Sequence, residues 1–160
     1  MQGVQIRRAT EQDIEALLAL HIDLHEFHVQ GLPDWMRIPE AYQRDESRAW
    51  LQDLIQREDA AIFVAEASGK LVGLVDVTLE ETTNQVFVPR RYGYIQGLVV
   101  SEALRKQGLG TQLLEAVRRW AIEHGAAEIQ LEMWEFPAGP FHFYEAVGFQ
   151  TIKRRLVKAL

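Results

Sequence analysis

Apolar side chains at Ile14, Leu17, Leu18 and Leu24, with His21 and His25 in phase, recur every three or four residues and predict an amphipathic helix. Thr10 and Asp13 stand before it as a capping box, with Asp13 where a glutamate is usual. Residues 4–8 ahead of the box read as a short strand. Residues 31–39 break the periodicity with glycine and proline around Trp35 and Met36. A second helix is predicted from about Glu40 to Arg57, with Trp50, Leu51, Leu54 and Ile55 turned inward.

Beyond residue 60 the pattern changes. Residues 61–66 and 71–79 read as strands around a turn at Ala67-Ser68-Gly69-Lys70. Residues 82–91 read as a loop and 93–100 as a further strand. Residues 108–124 form the clearest helix, with a stripe of Leu109, Leu113, Val117, Trp120 and Ala121 and a terminating Gly125. Residues 128–134 alternate, with Ile129, Leu131 and Met133 on one side and Glu128, Gln130 and Glu132 on the other. A short helix over 140–147, a turn at Gly148 and a last strand over 149–157 complete the reading. This order predicts a single domain over residues 1–160 of α/β (α+β) class. Its central sheet would be mixed, mainly antiparallel, with about six to seven strands flanked by about four helices.

Composition narrows the function. The chain has 160 residues and a net charge of −6, which disfavours nucleic acid as a partner because phosphate binding needs a broad basic surface. Cysteine is absent, so disulfides, thiolate metal sites and a cysteine nucleophile are excluded. No apolar run reaches membrane length and no signal segment is evident, so the expectation is a cytoplasmic protein. Arg90-Arg91 and Lys153-Arg154-Arg155 read as solvated faces or ion-pair partners.

Chemistry concentrates in residues 98–111. An apolar strand ends at Leu98-Val99-Val100, a loop carries Arg105 and Lys106, and Gly108 and Gly110 open a helix. The start of a helix offers unpaired N–H donors and partial positive charge, which attract phosphate. A tight strand-to-helix turn explains the two glycines equally well on residues alone. The P-loop lysine is missing, and so is the third glycine of a dinucleotide fingerprint.

The pattern Arg105-x-x-Gly108-x-Gly110 after that strand resembles the acyl-CoA signature of the GNAT superfamily of acetyl-CoA-dependent N-acetyltransferases. A second signature, Phe143-Tyr144-Glu145-Ala146-Val147-Gly148-Phe149, stands where that family has it, and the element order matches across most of the chain. The resemblance implies a cofactor site, with Arg105 part of it, in which the backbone amides of Lys106, Gln107, Gly108, Leu109, Gly110 and Thr111 hold the CoA diphosphate. It implies that backbone groups of Leu98, Val99 and Val100 pair with the pantetheine arm like an added strand, in a gap opened by splaying of strands 93–100 and 128–134. Acetyl-CoA would be the cosubstrate, and no metal is implied.

The same resemblance makes Tyr144 the general acid for the departing thiolate; a phenol that merely packs beside Phe143 is the plain alternative. Glu132 stands where acetylases of ribosomal-protein N-termini carry a glutamate, so it is the candidate base; a solvated strand carboxylate explains it as well. Many relatives carry a base where this chain has Gln96, which leaves a water chain as another route. Pro137 replaces an asparagine that often contacts pantetheine.

His21, His25 and His28 share one helix face and could bind a metal, but polar lining is the better reading because no carboxylate partners them in sequence. With Trp35 and Met36, His25 and His28 would border the acceptor site. The function expected is direct transfer of acetyl from acetyl-CoA to a primary amine of a small molecule in a ternary complex. A protein N-terminal or lysine acetyltransferase is the alternative within the class, and a non-catalytic acyl-CoA sensor the alternative outside it. The oligomeric state is open, a homodimer included.

Overall fold

The computed structural model describes residues 3–39 and 44–160. Strand β1 (Gln5–Arg8) leads through a 3₁₀ turn to helix α1 (Ile14–Gly31), followed by helix α2 (Arg44–Gln56). Strands β2 (Ala60–Ala67), β3 (Lys70–Glu81) and β4 (Arg91–Val100) then form a meander. Helix α3 (Leu109–Glu123), strand β5 (Glu128–Leu131) and helix α4 (Phe141–Ala146) complete the regular structure. The four helices among the described residues match the expectation. The start expected for the second helix, at Glu40, lies outside the described residues.

The sheet has five strands in the order β1-β2-β3-β4-β5. Its first four are antiparallel neighbours and β5 runs parallel to β4. This is the mixed, mainly antiparallel sheet expected, with fewer strands. Residues 149–157 form no ladder and residues 151–160 are exposed. Their apolar pattern suits a strand, but no strand of this chain lies beside them, and strand structure exists only in pairing. Strand β5 also stops at Leu131, three residues short of the expected Trp134, because its pairing with β4 ends at Ile95↔Leu131.

The capping box forms as read. The Asp13 carboxylate accepts the Thr10 amide at 2.8 Å, while Arg7 grips both its oxygens at 2.8 and 2.9 Å. That guanidinium holds the Asp13 carboxyl down at about 2. Alternation along β2 and β3 then splits the core in two. Leu17, Leu51, Leu54, Ile62, Val64 and Leu74 fill the space under α1 and α2. Ala61, Val75, Val77, Leu113, Val117 and Trp120 fill the opposite face under α3. Trp120, read as core, is buried there.

Candidate active site

The register of β4 creates the site. On one side it pairs with β3 along its whole length, from Arg91↔Glu81 to Val100↔Gly73. On the other it pairs with β5 only from Tyr92↔Glu128 to Ile95↔Leu131. Residues 96–100 therefore keep one hydrogen-bonding edge towards β3 and leave the other edge free of β5. Leu98, Val99 and Val100 lie on this stretch. A bulge opens it: Asp76 faces Gly97 and Val77 faces Ile95, so Gln96 is the extra residue.

The free edge runs straight into the loop before α3. Lys106 (φ 61°) and Gly108 (φ 81°) both take left-handed backbone, and Gly108 is the N-cap of α3. The first turn leaves the amides of Leu109, Gly110 and Thr111 without intrahelical acceptors; the first closing bond runs from Gln112 N to Gly108 O at 3.1 Å. No acidic side chain lies in that turn, so nothing there neutralises the positive helix end. Leu109 buries its side chain and offers only its backbone. Gly110 is needed for closeness: a Cβ there would stand 3.0 Å from the Phe143 ring, which joins α3 to α4. Arg105 is exposed but folds back along the chain. Its Nε donates to Val100 O at 3.0 Å and its guanidinium lies 5.1 Å over the Phe27 ring, while Gln107 donates to Ala103 O at 3.3 Å.

Gly108 has open space where a Cβ would go, so its role is conformational. A Gly108→Val variant would force a β-branched residue into left-handed backbone, at a cost of about 1–3 kcal/mol. CoA affinity should therefore fall by about 5- to 150-fold, read by calorimetry. Unchanged affinity would separate this turn from ligand binding.

Tyr144 sits on α4 and is 9% exposed. Its ring packs 5.5 Å from Phe149 in an edge-on arrangement and 5.2 Å from Phe143. Burial pushes its phenol up to about 12. Glu132 lies just past β5 and is exposed. It shares a sheet face with Gln130, Glu128, Tyr92 and Tyr94. Burial first, and the charges of Glu132, Tyr92 and Glu80 after it, push the Tyr94 phenol above its ordinary value. Gln130 donates to Glu128 at 2.7 Å, and Thr78 to Glu80 at 3.0 Å. The result is a face of carboxylates and phenols, suited to cations.

The helix histidines part company. His25 Nε2 lies 2.9 Å from Arg37 O, and His28 stacks edge-on to Phe136 at 6.2 Å. Among the described residues no cluster of His, Cys, Asp or Glu could hold a metal. Phe136 also lies flush on Gly31, where no Cβ could be accommodated, and 5.4 Å from Phe27. Trp35 meets Trp134 at 5.8 Å. The connection after α1 thus touches the segment between β5 and α4 that contains Pro137.

Sequence reasoning missed Asp76 and His21 as a pair. Asp76 is 0% exposed and lies behind the bulge, with Oδ2 3.0 Å from a Cβ position built on Gly97. His21 Nε2 is 3.6 Å from that oxygen. Burial pushes Asp76 up to about 7 and His21 down to about 4. The spacing suggests an ion pair, but both shifts favour neutral forms. Neither Asp76 oxygen nor His21 Nε2 has an aligned hydrogen bond, so the neutral pair is the better account. The amides of Gly97 and Gln96 offset the rise only in part. The available signal was a lone acid inside the apolar run of residues 71–79.

Comparison with known proteins agrees with this geometry. The family model described as "Acetyltransferase (GNAT) family" matches residues 16–149. An N-alpha-acetyltransferase of Sulfurisphaera tokodaii is 29% identical over 62% of this chain and 62% of its own length. An aminoglycoside N(6')-acetyltransferase type 1 of Salmonella typhimurium is 24% identical over 89% of this chain and 94% of its own. The solved BH1408 protein of Bacillus halodurans, as its F44R mutant, superposes with a TM-score of 0.86 at 27% identity, covering 98% and 99% of the two chains. The AAC(6')-Iy structure with a CoA-containing bisubstrate analogue shares the fold at a TM-score of 0.75 and 21% identity, over 99% and 98%. With a family match over residues 16–149, this chain is a member of the GNAT family of acetyltransferases.

Proposed function

We propose that the chain transfers acetyl from acetyl-CoA to a primary amine of a small cationic molecule, directly, in a ternary complex. The observation that carries this is the continuity of the free β4 edge with the unpaired amides opening α3. The residues fit the cosubstrate: amides of Leu109, Gly110 and Thr111 suit a diphosphate, and the edge at Leu98, Val99 and Val100 suits an amide-bearing arm added like a strand. A backbone N–H at Leu98 or Val99 would also stabilise the developing oxyanion.

The chain's own groups then manage protons. An amine of pKa near 10 must lose a proton before it attacks. Glu132, or water ordered by it, takes that proton on the carboxylate-lined face. Tyr144 holds the proton that the sulfur needs on leaving. Direct attack needs no enzyme nucleophile. Acidic groups at Glu80, Glu128 and Glu132 favour a cationic acceptor over nucleic acid, and the site has a cytoplasmic supply of acetyl-CoA in view.

Free-thiol release from acetyl-CoA should be followed across aminoglycosides, polyamines, amino acids and peptides. Release with small polyamines or aminoglycosides and none with peptides is expected. Turnover on peptides alone would replace this reading with protein acetylation, as in the Sulfurisphaera relative's name. Binding of acetyl-CoA without turnover on any amine would favour a sensor.

A further inference from the structure

Asp76 does not match its layer. The space under α1 and α2 is filled by side chains such as Leu17, Leu51, Leu54, Ile62 and Leu74, and Asp76 stands among them 0% exposed. Burying a carboxyl without an aligned hydrogen bond is costly, and neither of its oxygens has one among the described residues. An apolar side chain would pack there at less cost. Proton transfer through Glu132 and Tyr144 leaves the acid unused. It therefore calls for a role other than packing.

Its surroundings give that role a direction. A Cβ on Gly97 would stand 3.0 Å from Asp76 Oδ2, 3.4 Å from Leu24 and 3.5 Å from the His21 ring. Acid, leucine and imidazole thus close on a backbone that has no side chain of its own to hold it. The amides of Gln96 and Gly97 approach the same carboxyl. Two successive N–H groups then face one side, which the bulge at Gln96 permits. Beyond the bulge, the N–H groups of an extended strand alternate between its edges. With Gly97 N–H turned to β3, Leu98 N–H is left for the free edge.

We propose that Asp76, as a neutral acid against His21, is a positioning residue: it fixes the bulge so that Leu98 N–H meets the thioester oxygen of acetyl-CoA. This rests on the acetyl-transfer reading and names the amide that serves it. The neutral form matters, because a carboxylate behind the bulge would repel the negative charge that develops on that oxygen, in a layer that screens little. His21 is the titratable group that faces the carboxyl among the described residues, with Nε2 at 3.6 Å. The other elements bring uncharged neighbours: Ile62 of β2 stands opposite, Gly97 of β4 covers the acid, and Trp50 of α2 lies 5.3 Å from the imidazole. Along β3 the next carboxylate, Glu80, is engaged by Thr78. Burial holds the Asp76 proton up to about pH 7, so the aligned state prevails below that and is lost above it.

The infrared stretch of the thioester carbonyl, read on isotope-labelled acetyl-CoA bound to the full-length protein, tests this without turnover. At about pH 6 the bound carbonyl of the wild type should absorb at lower frequency than the free one, and by about pH 8 part of that shift should be gone. Asp76→Asn, which stays neutral, should keep the shift at both values. Asp76→Leu should lose it at both. On an acceptor amine, the leucine variant should show kcat lowered by up to about 10³-fold, as for loss of an oxyanion donor, with KM for acetyl-CoA nearly kept. Should the leucine variant not fold, the wild-type pH series and the asparagine variant decide. A bound carbonyl shifted equally at both pH values and in every variant would overturn the positioning role while leaving the cofactor site intact. An asparagine variant that loses the shift would overturn it too. A pH-dependent shift without acetylation of any amine would sink acetyl transfer instead, and the role of Asp76 would stand.

Discussion

Tyr144→Phe is expected to lower turnover by about 10²- to 10⁴-fold, the usual range for loss of a positioned general acid, with CoA affinity nearly unchanged. The variant keeps the ring that packs on Phe143 and Phe149 and removes only the proton donor. With its phenol pushed up to about 12 by burial, Tyr144 stays protonated at every pH at which the enzyme would be assayed. A leaving thiolate can therefore always draw on it, and the rise of rate with pH should report deprotonation of the amine, not of the acid. Steady-state thiol release and a calorimetric CoA affinity on the same preparations decide the matter. Equal turnover in the two proteins would remove Tyr144 from the chemistry and leave it a packing residue.

What the sequence disclosed and what it hid divide along physical lines. Helix α3 was legible because its stripe, its glycine start and its Gly125 stop all lie within eighteen residues. The Thr10–Asp13 box was legible for the same local reason. The early end of the β4–β5 pairing was not legible locally, because register is a long-range property: nothing near Leu131 says that its pairing ends there. The last strand was misread in an instructive way. Apolar residues in 149–157 record a tendency to pair, but they do not say where the neighbour is, and among the described residues there is none. Asp76 and His21 were hidden by their separation of fifty-five positions; only the fold sets the one over the other, behind the bulge at Gln96. The contact of Phe136 with Gly31 is of the same kind, since a glycine ending a helix reads first as a stop, not as the seat of a distant ring.

Asp76→Asn should abolish much of the pH dependence of stability between pH 4 and 7. The sign follows from the direction of the shift. The folded protein holds the Asp76 proton up to about pH 7, against 3.8 for an ordinary aspartate. Across that window the folded state binds more protons than the unfolded one, so stability declines as pH rises and levels off above 7. Three pH units of displacement correspond to about 4 kcal/mol, an upper bound because the bulge can relax around a charge. His21 works the other way: held neutral down to about pH 4, it weakens the fold as pH falls below 6.5. His28, also lowered by burial, acts in the same sense as His21, whereas Asp13 titrates near 2, outside the window. Subtracting the wild-type profile from the variant's cancels the contributions of His28 and Asp13 and leaves that of Asp76 together with its effect on the neighbouring His21. Denaturant melts at pH 5, 6, 7 and 8 should show the asparagine variant gaining on wild type with each step upward. Parallel profiles would mean that Asp76 is already ionised in the folded state at pH 5. The bulge would then be built around a charge instead of a proton.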